Sequence, residues 1–568
     1  MSLNLKSAPF FSLVLTALAV SCARADDEVT AARFPDADAV LVDDVTRVTY
    51  HPDGTYVEES ESWTKVLTEK GRREGSSTEL RYSKRYGAAS IDFVGIVDTN
   101  GIERAVDVSA TTSESTDNGS MSANIYDPLD RKIVCTIPGL SVGETLHVKT
   151  TRRALKPRCE GQWSELSIFE WSLPILRSRV EIRAPKELPL KRKAIRHPLG
   201  NVVSSETPLP DGGILHVFTS TNSAQAFPEP DMPPLYTQVQ HLRVSTAADW
   251  PEISRWYWNL CAPHLAKTNA AMVAKAAELR SLRAIFKFVS QEIRYMGLTM
   301  EDTSPGYAPH DVDITFDNRY GVCRDKAGLL VAMLRLAGFK AFPVLINVGA
   351  KLDPEVPQPF FNHAIVAVED APGQYVLMDP TNENAKDLFP AYESDKSYLV
   401  CRPEGENLRL SPTPSPDHNK LTATTRGTLV KDGSLVLESE ILFGGVNDTV
   451  YRPAFVRRTG EERVKFFERV VRRLAAGAEL LRCEIEPTDM RDTETPIRVK
   501  LSARLPEMLL RGETGDHLAV PFVTKTLGMA NFLLDGNTSL ERRKFPLVLD
   551  STACVDERVE IDLAGVVG

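Results

Sequence analysis

The sequence has no excess of positive charge, no glycine-rich phosphate loop, no CxxC pair and no HExxH. A formal net charge of −10 argues against nucleic acid as a partner. The ten histidines are scattered without ligand spacing, so no metal and no cofactor is expected. Past the N-terminus, no stretch reaches the roughly 18 uninterrupted apolar residues of a transmembrane helix. No internal repeat is visible. What is present is ordinary for a globular chain, 42% hydrophobic and 25% charged. At 568 residues it is too long for one core, and three or four domains are expected.

Residues 1–25 read as a secretory signal. Lys6 supplies the positive end, residues 8–20 form a short apolar run, and Ala23-Arg24-Ala25 fits an A-x-A cleavage site. The expected location is therefore the periplasm or the extracellular space. The competing reading is a lipoprotein anchored at Cys22, but Leu18 lies one place too early for a good lipobox. Cleavage after Ala25 leaves seven cysteines, at 135, 159, 261, 323, 401, 483 and 554. An oxidising compartment permits disulfides among them. Cys135 with Cys159 and Cys483 with Cys554 are in-domain pairings. The other pairings, and six buried free thiols, stay open.

Residues 26–240 read as a β-sandwich. Residues 45–50 and 55–66 flank His51-Pro52-Asp53-Gly54, and residues 91–97 and 102–106 flank Asp98-Thr99-Asn100-Gly101, two hairpin signals. Trp250, Trp256 and Trp258 fall in a helical connector, where they either line a binding surface or dock the connector on its neighbours. Residues 241–405 form a mixed core, and 406–420 read as a linker through the run Ser411-Pro412-Thr413-Pro414. Residues 421–568 read as a β-rich domain with one amphipathic helix at 461–476. The expected fold class is α+β multidomain.

The chemistry-bearing residues lie in the core. Cys323 opens an apolar helix, His363 starts a strand, and Asp379 ends the next strand. A thiol is a weak nucleophile until it loses its proton, and a helix N-terminus favours the thiolate. If residues 363–379 form a hairpin symmetric about Ala371, His363 and Asp379 face each other. The carboxylate then orients the imidazole toward the thiol. Asp325 and Lys326 read as helix N-terminal charge and a solvated lysine. Tyr307 and Tyr320 are candidate oxyanion or substrate-positioning hydroxyls.

Tyr320-Gly321-Val322-Cys323-Arg324-Asp325-Lys326, Phe361-Asn362-His363-Ala364-Ile365-Val366 and Met378-Asp379-Pro380-Thr381 together resemble the transglutaminase-like superfamily. The resemblance covers about residues 246–401. The whole chain is similar to exported bacterial proteins that place an N-terminal DUF3857 domain before such a core. Tyr126-Asp127-Pro128 and residues 137–144 fit that N-terminal domain. The resemblance implies a papain-like core, with Cys323 as nucleophile, His363 as base and Asp379 as orienting acid. The superfamily often has an acidic residue where this chain has Val322. The implied activity is cysteine-dependent acyl transfer on a peptide, protein or other amide-bearing substrate, with hydrolysis favoured. The alternative is a non-catalytic or latent envelope module that meets a partner through its β domains.

Overall fold

The computed structural model of the protein describes residues 29–297, 306–384, 386–534 and 540–563. The expected leader, with Cys22 and the 23–25 cleavage site, lies outside the described residues. The chain divides into two compact units: residues up to Asn118 with Pro128–Pro228 and Leu235–Thr246, and Gly119–Asp127 with Glu229–Pro234 and the chain from Ala247.

The first unit is built on an eight-stranded sheet. Its strand order is Val202–Pro208, Ile214–Ser223, Ile175–Ala184, Ala39–Tyr50, Tyr56–Val66, Thr145–Ala154, Gly87–Val97 and Glu103–Ala105. The strand Ala39–Tyr50 pairs antiparallel with Tyr56–Val66 around the expected turn, and parallel with Ile175–Ala184. In that turn Gly54 has φ +90°, and a Cβ there would lie 2.7 Å from the Gln162 carbonyl oxygen, so only glycine fits. Two three-stranded sheets pack on the large one. Leu80, Ile133 and Cys135 meet Val66, Val94 and Ile96 in one core. Trp163, Phe169, Leu242 and Val244 meet Tyr50, Val180, Ile182 and Phe218 in another.

The second unit has two main cores, with a smaller apolar cluster of Val344, Ile346, Ile365, Ala367, Leu377, Tyr398 and Val400 beside the first. In the first, the helix Cys323–Leu336 lies against the strand His363–Ala371 and against the helices Leu282–Glu292, Val312–Asn318 and Trp250–Leu265. Leu329, Leu330, Val331, Met333 and Leu334 are all fully buried, which is why this segment reads as apolar all round. At about 1.5–3 kcal/mol for each buried side chain, the helix is held firmly in place. Its sheet runs Gln374–Met378, His363–Ala371, Ala341–Ile346, Ser397–Val400 and Arg409–Leu410, antiparallel throughout. The three tryptophans dock the connector helix. Trp250 donates to the Pro354 carbonyl at 3.1 Å, Trp256 meets Tyr307 edge-on, and Arg335 stacks on Trp258. Ile125 pairs with Gly297, beside Val322.

The second core belongs to a five-stranded sheet ordered Glu479–Glu486, Arg498–Leu505, Leu435–Phe443, Lys420–Leu429 and Cys554–Asp562. The expected helix is present as Gly460–Arg472, with the Thr459–Glu462 capping box at its start. The expectation of a single helix is corrected by Val446–Val456. That helix escaped notice because Asp448 and Arg452 sit on its buried face and break its apolar stripe.

The disulfide pairings are also corrected, because the seven cysteines among the described residues are free thiols. Cys483 and Cys554 lie on opposite edge strands of the C-terminal sheet. Strands about 4.8 Å apart put them far outside disulfide reach. Cys135 is buried and hydrogen-bonded to Thr111.

Candidate functional site

The helix that carries Cys323 starts at that residue. Its N-terminus is fixed by Asp325, whose carboxylate accepts the Val322 N–H at 3.0 Å and both the N–H and Nδ1 of His310 at 2.9 Å. Asp325 is therefore buried structure, not surface charge. Lys326 corrects the solvated reading more sharply. It is fully buried, and its ammonium donates to the carbonyls of Ser290 at 3.1 Å and Ile293 at 2.5 Å. These bonds pin the first turn of the Cys323–Leu336 helix to the end of the helix Leu282–Glu292. Burial pushes the Lys326 amine down to about 8.

The hairpin carrying His363 and Asp379 has a different register from the symmetric one expected. Val366 faces Met378 and Val368 faces Val376, and the turn is Pro372-Gly373 with Gly373 at φ +71°. Asp379 is thus two positions along from His363's side rather than opposite it. A two-residue offset keeps both side chains on the same face. His363 Nε2 still lies 3.3 Å from Asp379 Oδ2.

Cys323 is half-buried, and His363 is 15% exposed on its side chain. Burial raises the thiol, but the proximity and charge of His363 outweigh it and hold the thiol below its ordinary range. His363 is pushed well above its ordinary value by Asp379 and its hydrogen bonds, against the opposing cost of burial. Asp379 is fully buried yet held down at about 2, chiefly by His363. It also accepts from the Thr381 N–H and hydroxyl, both at 2.9 Å, and from the Tyr392 hydroxyl at 3.2 Å. Since Nε2 faces the carboxylate, Nδ1 is the nitrogen left for the thiol.

The hydroxyls are assigned differently from expectation. Tyr307 donates to the carbonyls of Pro359 at 2.5 Å and Phe361 at 3.1 Å. It therefore clamps the segment entering His363 instead of facing the sulfur, which corrects its reading as an oxyanion hydroxyl. Tyr320 pairs its backbone with Arg294, which brings the next residue, Tyr295, beside the site. The Tyr295 hydroxyl is near enough to Cys323 for the two groups to interact electrostatically. Replacing it with Phe removes that interaction. We expect Tyr295→Phe to slow Cys323 alkylation at pH 6.5 by about tenfold, read by mass spectrometry of the Cys323 peptide.

Glu393 is the residue that spacing could not reveal. It follows a Pro390 turn with no motif around it. Its side chain is fully buried, and Oε1 lies 3.2 Å from His363 Nε2. Burial and the neighbouring Asp379 push its carboxyl up to about 8. The ligand-type atoms of His363, Asp379 and Glu393 all lie within 4.8 Å of one another.

Among the described residues, no helix is long and apolar enough to cross a membrane. Residues 52–227 match DUF3857, a domain of unknown function, and residues 266–380 match the transglutaminase-like superfamily. No curated protein matches the sequence. Among solved structures, the fold is similar to a candidate protease from Parabacteroides distasonis, with TM-score 0.54 and 14% identity over 86% of this chain and 95% of that one. A candidate cysteine protease from Cytophaga hutchinsonii aligns at 13% identity over 40% of this chain and 75% of that one, and its TM-score of 0.17 is too low to argue from. A match to DUF3857 over residues 52–227 thus precedes a match to the transglutaminase-like superfamily over residues 266–380.

Proposed function

We propose that the protein is an exported enzyme that hydrolyses peptide or other amide bonds through a thioester on Cys323. One observation carries this reading: Cys323 opens a buried helix, the charge and proximity of His363 hold its thiol low, and His363 is hydrogen-bonded to Asp379. The superfamily match supports the class of chemistry, and the signal-like residues 1–25 support export.

The thiolate attacks the amide carbon, and His363 gives its Nδ1 proton to the departing amine. Asp379 holds the ring and offsets the imidazolium charge. A thioester forms as the C–N bond breaks. Water, deprotonated by His363, then attacks the thioester and releases the acid, and the thiol returns. The Tyr295 hydroxyl stabilises the sulfur anion at the start and end of the cycle.

The test is the rate of Cys323 alkylation by iodoacetamide against pH, in chelator. The thiol is held low and the imidazole high, so the thiolate–imidazolium pair should exist well below the ordinary thiol range. The rate should therefore be nearly flat from about pH 6.5 to 8.5, where a free thiol rises steeply. A rate that climbs through pH 8.5 as for a free thiol would overturn the reading and leave the core as a scaffold.

A further inference from the structure

Two carboxylates face one imidazole in a place almost closed to water. Asp379 and Glu393 each have 0% side-chain exposure. Even with His363 doubly protonated, the three groups carry net negative charge when both acids are ionised. The nearby ammonium of Lys326 is committed to two backbone carbonyls. Asp379 is well supplied with donors, but neither oxygen of Glu393 accepts a hydrogen bond of ordinary geometry. A buried carboxyl whose oxygens lack donors must hold a proton or meet a cation, and a cation that displaces the proton gives both acids a partner.

The distances say what kind of charge fits. Nε2 of His363 lies 3.3 Å from Asp379 Oδ2 and 3.2 Å from Glu393 Oε1. A tetrahedral zinc ion with N and O ligands at about 2.0–2.2 Å separates those ligands by roughly 3.3–3.6 Å. Two edges of the triangle are thus close to one face of a zinc tetrahedron. Ligand orientation is also in place. Thr381 and Tyr392 fix Asp379, the strand fixes His363, and the Glu393 backbone is tied by the Ser411 hydroxyl at 2.5 Å and by its own N–H to Pro390.

We propose that His363, Asp379 and Glu393 form a site for a divalent cation of zinc type, with a fourth position open. The cation takes the Nε2 lone pair and one oxygen of each carboxylate. The Nε2 proton, and any proton on Glu393, leave to solvent, and no other bond changes. The binding stands on the geometry alone, whereas its consequence rests on the acyl-transfer reading. A metal-bound imidazole keeps its Nδ1 proton and cannot take up a second proton on Nε2. His363 then gives its proton to a departing amine far less readily than an imidazolium does, so the cation silences turnover without touching the sulfur.

The experiment is titration of the full chain, stripped with chelator, with Zn²⁺ by calorimetry and with Co²⁺ by absorption. Expected are one equivalent bound, tetrahedral cobalt d–d bands, and no sulfur-to-cobalt charge-transfer band. Glu393→Gln and His363→Ala should each weaken binding at least tenfold, while Cys323→Ala leaves it within twofold. Thermal melts confirm that each variant is folded, and the wild-type cobalt spectrum reports the ligand set even if one variant is not. A charge-transfer band lost in Cys323→Ala would place the metal on the thiol and overturn the proposal. Binding indifferent to Glu393→Gln, or no binding at all, would overturn it equally. The Cys323→Ala titration does not involve the thiol, so failure of the acyl-transfer reading would appear separately, in the alkylation profile.

Discussion

His363→Ala should slow alkylation of Cys323 at pH 6.5 by one to two orders of magnitude, the largest effect of any single change at the site. An unassisted thiol with a pKa near 8.5 is only about one per cent thiolate at that pH. In the native site the neighbouring imidazolium holds the thiol low. Removing the ring leaves the cost of burial, which acts in the opposite direction and raises the thiol further. The lower intrinsic nucleophilicity of a low-pKa thiolate offsets part of the gain, so the effect is smaller than the change in thiolate fraction alone. The gap should close to within a few-fold near pH 10, where both proteins carry a thiolate. That convergence separates loss of activation from simple occlusion of the sulfur. Amide turnover should be lost at every pH, because the proton for the leaving amine comes from the same ring. Equal alkylation rates for wild type and variant at pH 6.5 would mean that the imidazolium does not activate the thiol.

The parts of this site visible in the sequence are those carried by local pattern. Cys323 is marked by the turn before it and the apolar helix after it. His363 and Asp379 are marked by two short apolar strands with turn residues between them. His363 and Asp379 share a strand face although the register differs from the symmetric one, because an offset of two preserves the face, whereas an offset of one separates the pair. Tyr295, Tyr392 and Glu393 were not legible, because nothing in their own segments requires them to approach Cys323. Tyr295 arrives through a two-residue parallel pairing with Tyr320-Gly321, and Glu393 through a single turn of 3-10 helix. Lys326 misled for a physical reason. A lysine at a helix start is normally solvated, and only the two carbonyls left open at the end of the Leu282–Glu292 helix give its ammonium a buried home. The sandwich hairpins were legible from their turns, but the parallel pairing of Ala39–Tyr50 with Ile175–Ala184 joins strands too distant for any local signal.

Arg452→Ala should cost the C-terminal part of the second unit about 3–5 kcal/mol, the largest stability effect expected from one substitution. Arg452 is fully buried, and all five of its N–H groups are used. Two meet Asp448, at 2.6 and 2.7 Å, and three meet the carbonyls of Met490, Asp492 and Thr495, at 3.1, 2.7 and 2.7 Å. Asp448 in turn accepts the Ile497 N–H at 2.8 Å. The pair therefore holds residues 490–497 in the loop that feeds the strand Arg498–Leu505. Truncation leaves a buried carboxylate without its countercharge and three carbonyls without their guanidinium donors. Arg452→Lys should recover little, because one ammonium cannot reproduce a planar fork with five donors. Arg452→Met with Asp448→Asn should be less damaging than Arg452→Ala alone, since no uncompensated charge remains, but three open carbonyls keep it below wild type. Denaturant unfolding of the full chain, followed by hydrogen exchange on residues 490–505, reads these differences. The same loop touches the half of the unit that carries Cys323, where Gln291 donates to the Arg491 carbonyl at 2.9 Å and Lys386 to that of Glu494 at 3.2 Å. Both contacts are exposed and worth little. Alkylation of Cys323 in folded Arg452→Ala should therefore stay within twofold of wild type. A larger change would mean that the C-terminal sheet helps to set the geometry of the thiol as well as its own stability.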